Sequence, residues 1–69
     1  MTTDEALVEL KVSESRAWDA LSRYKFYLFG YWACHWVNLN RYAGTKLANP
    51  FAALVKAAEM AKQRSLGDD

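Results

Sequence analysis

The chain has no acidic residue between Asp19 and Glu59, and it has one cysteine, one proline and three glycines in 69 residues. Each scarcity excludes something. With Cys34 alone, no intrachain disulfide can form, and nothing in the sequence asks for an oxidising compartment. Gly30, Gly44 and Gly67 are isolated, which leaves no glycine-rich loop for phosphate. Met1 to Glu5 is polar and acidic, without the basic region and apolar run of a secretory signal, so the expected location is the cytoplasm. The longest apolar run, Phe26 to Val37, would span only about 18 Å as a helix against a bilayer core of about 30 Å. A membrane is therefore not an expected partner, although Trp32 and Trp36 near Arg23, Lys25 and Arg41 would suit a headgroup layer. The run lacks the separate polar face of an interfacial helix.

Chemistry-bearing residues are also scarce. Cys34 and His35 are the one pair that suggests a metal or a nucleophile, and neighbours on a helix diverge by about 100°, so they do not readily share an ion. No carboxylate or amide is placed to orient the imidazole for nucleophilic work. The expectation is that the protein is not an enzyme and carries no cofactor or metal. Cys34 reads as a small buried apolar group, and His35 as a hydrogen-bonding partner of a tyrosine or a backbone carbonyl.

What the chain does have is aromatic density. Tyr24 to Trp36 holds seven of the ten aromatic residues, in a composition that is 52% hydrophobic and 25% charged. That composition is globular, and the length allows one domain, residues 1–69, with a marginal core and frayed ends at 1–2 and 67–69. Charge is segregated. The interval without acids carries Arg23, Lys25, Arg41, Lys46 and Lys56, while both ends of the chain are net acidic.

The pattern predicts an all-α protein. Thr2 and Glu5 have the spacing of a capping box, with Asp4 and Glu5 suited to the positive end of a helix dipole. From Leu7 and Leu10 through Ala17, Leu21, Tyr24, Leu28, Tyr31, His35 and Leu39 to Tyr42, the stripe recurs at spacings near three and four, which predicts one long helix over about 3–43. Val12 to Arg16 offers a place for a kink, since Ser13 or Ser15 can cap a second start. A competing reading takes Val8, Leu10 and Val12, within residues 6–12, as one face of a strand paired with a second chain, ahead of helices split near Gly30. The residues after Gly30 are poor N-caps, which favours the unbroken helix and a close approach of another helix at the glycine. Gly44 is the expected C-cap. Asn49 and Pro50 mark the start of a second helix over about 50–65, as N-cap and first helical residue. The expected fold is an antiparallel helical hairpin. One short helix cannot cover rings that point in every direction, so the hairpin is expected to form a homodimeric four-helix arrangement.

For function, Trp, Tyr and Arg are the side chains enriched at protein-binding hot spots. The expected job is a non-enzymatic protein-binding module that occupies a partner's surface as inhibitor or adaptor. Inhibitors made by phages and mobile elements are of this kind, an analogy of size and chemistry only. Trp18, Arg23, Tyr27, Trp36 and Arg41 are the expected partner surface, with Leu21, Leu28, Trp32, Leu54 and Val55 as core. The alternative is nucleic-acid binding by the strip Arg23, Tyr24, Lys25, Phe26 and Tyr27 with Arg41 and Lys46, where cations interleave with stacking rings. A net charge of +1 gives such a strip little long-range attraction for a polyanion.

Overall fold

Thr2 caps the first helix as its spacing predicts: its hydroxyl oxygen accepts from the Glu5 backbone N–H at 3.2 Å. In the computed structural model, which describes residues 2–67, the chain forms three helices, α1 (Thr3–Ser22), α2 (Phe26–Ala43) and α3 (Ala52–Gly67). The described residues contain no strand, so Val8, Leu10 and Val12 lie in α1. Ser13 and Ser15 are also inside α1, which runs through the suspected kink. Of the ends expected to fray, Met1, Asp68 and Asp69 lie outside the described residues, Thr2 is the N-cap, and Gly67 closes α3.

The main departure from expectation is the break of the long helix at Arg23, Tyr24 and Lys25. Its hydrogen bonds are those of a Schellman stop: the Lys25 N–H donates to the Ala20 carbonyl at 2.9 Å and the Tyr24 N–H to the Leu21 carbonyl at 3.0 Å. Such a stop needs a left-handed residue at the position Tyr24 occupies, and Tyr24 has φ +61°. Glycine is the usual occupant because a side chain in that conformation costs about 1–2 kcal/mol. With tyrosine in its place, the break carries no glycine or proline to announce it.

The reversal lays α2 back on α1, and this is the one pair of helices that packs together among the described residues. The all-α hairpin is therefore present, but it is made by the two halves of the expected long helix. On α1 the buried positions are Ala6, Leu10, Ser13, Ala17 and Ala20, four of them small. Their spacing of four, three, four, three keeps them on one face. Against this stripe α2 sets Trp36, which is 3% exposed, with Phe29, Trp32, Ala33, Val37 and Leu39 packed around it. Small residues on one helix let large rings on the other fill the space between the axes. Gly30 faces open space, with no atom within 4 Å of where a Cβ would stand, which corrects the expected close approach inside the single chain.

α2 ends where expected, at Gly44 with φ +69°. The link to α3 is then held by Asn40, whose Oδ1 accepts from the Leu47 N–H and whose Nδ2 donates to the Leu47 carbonyl, both at 3.0 Å. Asn49 Oδ1 accepts from the Phe51 N–H at 2.8 Å, as the expected cap would, but Pro50 and Phe51 form a turn and α3 begins at Ala52, two residues after the expected start. Phe51 is buried among Trp18, Phe29 and Trp36, with ring centroids 5.1, 5.4 and 6.2 Å away. It pins the root of α3 to the hairpin. Beyond it, Ala52 to Ser65 are all exposed and α3 packs on neither helix. Leu54 and Val55, expected in the core, are 37% and 55% exposed, while Leu21, Leu28 and Trp32 are half-buried.

Two outcomes are expected in denaturant titration. Tyr24→Gly should stabilise the chain by about 1 kcal/mol, because it relieves the left-handed position at a site that is otherwise exposed. Ala17→Leu should destabilise it by about 1–3 kcal/mol, since the rings of α2 leave no room for a larger residue on the α1 stripe.

Candidate functional site

Because α2 begins right after the reversal, the Arg23–Tyr27 segment forms the end of the hairpin. Its rings are in water: Tyr24 is 81% exposed, Tyr27 76%, and Phe26 and Tyr31 each 62%. The Tyr24 and Phe26 rings meet edge to face at 6.1 Å, and Tyr31 stands edge-on to Trp32 at 5.0 Å. These rings give the hairpin end an exposed apolar edge.

Beside this edge lies a cleft of about 450 Å³ between α1 and α2, lined by Arg16, Arg23 and Lys25 with Asp19 and Trp32. Two of the three cations are already engaged. Arg16 lies 4.8 Å above the Trp32 ring, and Arg23 pairs with Asp19 at 3.4 Å with both side chains mostly in solvent. An exposed pair of this kind contributes about 0.2–1 kcal/mol and leaves Arg23 available to another carboxylate.

The structure disperses the partner-surface residues expected from sequence. Arg23 and Tyr27 are at the hairpin end. Trp18 sits on the flank, 36% exposed, donating from Nε1 to Glu14 Oε2 at 3.1 Å and packing on Phe51 and Phe29. Trp36 is core, which corrects its assignment to a partner surface: it lies on the side of α2 that faces α1 and Phe51. Arg41 is in the last turn of α2, some sixteen residues or about 24 Å along the helix from Lys25. Lys46 follows it in the link, so the basic strip envisaged for nucleic acid is divided between two ends of the hairpin. Tyr24, Phe26 and Tyr31 were absent from the expected surface. Taking α2 as a helix of its own finds Phe26 and Tyr31, since Phe29, Trp32 and Trp36 define its inward face and these two lie off it, whereas Tyr24 is set outward by the reversal itself.

A second feature lies on the other side of α2. An open apolar groove of about 430 Å³ runs between α2, at Phe29, Ala33 and Val37, and α3, at Leu54, Val55 and Ala58. Among the described residues no group of histidine, cysteine or acidic side chains is arranged to hold a metal ion. No helix there is long and apolar enough to cross a membrane. No protein-family model, curated protein or solved structure matches the chain.

Phe51 joins the two features, because it closes the aromatic cluster and sets where α3 begins. Phe51→Ala is expected to destabilise the fold by about 3–5 kcal/mol in thermal or denaturant unfolding, well above the loss from any single residue of α3.

Proposed function

We propose that this chain is a non-enzymatic protein-binding module whose aromatic hairpin end occupies a surface of a partner protein as inhibitor or adaptor. The observation that carries the reading is the set of exposed rings, Tyr24, Phe26, Tyr27 and Tyr31, held at one end of a packed hairpin beside Arg16, Arg23 and Lys25. Rigid rings bury large areas on binding with little loss of side-chain entropy, and arginine adds directional bonds at the rim. The partner that fits is an apolar pocket with an acidic border. A homodimer acting in the cytoplasm belongs to the same reading, with two copies giving two such ends.

Nucleic-acid binding has one observation in its favour, the convergence of Arg16, Arg23 and Lys25 on a cleft next to exposed tyrosines. It is the weaker reading, because Asp19 stands in that cleft and Arg41 and Lys46 are at the far end. A surface for a polyanion should present its cations together.

Affinity capture with the tagged full chain, in nuclease-treated lysate, is expected to recover a discrete protein. The double substitution Phe26→Ala and Tyr27→Ala should reduce that recovery about tenfold or more while helical content, read by circular dichroism, stays the same, because both residues are exposed. Recovery that disappears with nuclease and weakens steeply with salt would move the assignment to nucleic acid.

A further inference from the structure

α2 has no Asp, Glu, Lys or Arg from Phe26 to Asn40, and the apolar surface it leaves uncovered favours burial. α1 and Phe51 cover one side of it. The side bordering the groove, from Phe29 through Ala33 to Val37, is only half-buried, and the ridge Leu54, Val55 and Ala58 of α3 across from it is exposed. We infer that the groove between α2 and α3 is the seat of α3 from a second copy of this chain. The two copies exchange helices reciprocally, so that α2, α3 and their counterparts form the four-helix arrangement and α1 lies outside it. The inference rests on self-association and is independent of what the aromatic end binds.

Three observations select a second copy as occupant. The first is the surface in excess. A compact monomer of 7.9 kDa exposes about 4,400 Å², and this chain exposes 5527 Å². The surplus, about 1,100 Å², is of the size each partner buries in a stable interface, about 800 Å². The radius of gyration points the same way, 14.3 Å against about 11 Å for a compact domain of this length.

The second observation is that α3 stands off α2, although its ridge forms one wall of the groove. The link is tied by Asn40 to Leu47 and by Asn49 to Phe51, and Phe51 is clamped between three rings. The third is that the groove and the ridge are complementary and sit on the same molecule. A two-fold axis lets each copy's ridge fill the other's groove, and small side chains at Ala33 and Cys34 on α2 and Ala58 on α3 allow close approach. No charged side chain lines the groove to oppose it. A 16-residue helix is marginal alone in water, and this packing supplies what α3 lacks.

Cys34 lines the groove, is exposed in the single chain and is the one thiol in the sequence, so it reports whether the groove is filled. The full chain is expected to run at twice 7.9 kDa in light scattering at tens of micromolar. Its alkylation by iodoacetamide should slow about tenfold or more from nanomolar to that concentration, in step with the mass. Val55→Asp, at an exposed position, should keep the helical content, weaken association about a hundredfold and leave Cys34 reactive at every concentration. Three results would overturn the proposal. A 7.9 kDa species with reactive Cys34 at tens of micromolar means an empty groove, and the same mass with protected Cys34 means α3 closes within one chain. A dimer with reactive Cys34 and no response to Val55→Asp places self-association on another face. Capture through Phe26 and Tyr27 is read separately and survives any of the three.

Discussion

The packing of large rings on α2 into a stripe of small residues on α1 is the constraint from which the rest of this structure follows. Ala6, Ser13, Ala17 and Ala20 bring the backbone of α1 close, and Trp36, Phe29 and Trp32 fill the space that the small side chains leave. Ser13 shows how tight the fit is: its hydroxyl is fully buried without a hydrogen-bond partner, a group that ordinarily costs about 1–3 kcal/mol to leave unpaired. Neighbouring packing has to offset that, since the stripe holds it in place. The same close approach demands an abrupt reversal between the helices. A three-residue Schellman stop provides it, with Tyr24 accepting a left-handed conformation.

Once α1 and α2 are committed to each other, α3 has little left to pack on. Its root is fixed by Phe51, and the rest of it stands away from the hairpin with alanines and an apolar ridge in solvent. The chain therefore divides its aromatic residues between two uses. Trp36, Phe29 and Phe51 make the core, whereas Tyr24, Phe26, Tyr27 and Tyr31 lie outside it. A chain of this size has no room to bury both sets. The surplus surface is the physical basis for reading the protein as one that acts through contact, with itself along the α2–α3 groove and with another protein at the hairpin end.

The fold was partly legible before any coordinates. Capping at Thr2, the C-cap at Gly44 and the hydrogen bond of Asn49 just ahead of the last helix depend on interactions within a few residues, and those can be read from local chemistry. The reversal at Tyr24 could not be read that way, because the residue in the glycine position is a tyrosine and the apolar period continues across the break. A stripe extended through Leu21, Tyr24 and Leu28 fits one long helix as well as it fits two. Continuity across the break is also what places Trp36 on an expected protein-binding surface and leaves Tyr24, Phe26 and Tyr31 off it, since the inward face of α2 depends on what packs against it.

By itself, then, the sequence determined the helical class, the ends of the helices that carry their own caps, and a content of apolar rings too large for the core of one short chain. Each of these follows from local hydrogen bonding or from composition. Only the tertiary structure decided where the long helix breaks, which rings are core, and that α3 stands off from α2. Those outcomes turn on the match between small residues of α1 and large residues of α2, a long-range competition for the same surface that no local pattern records.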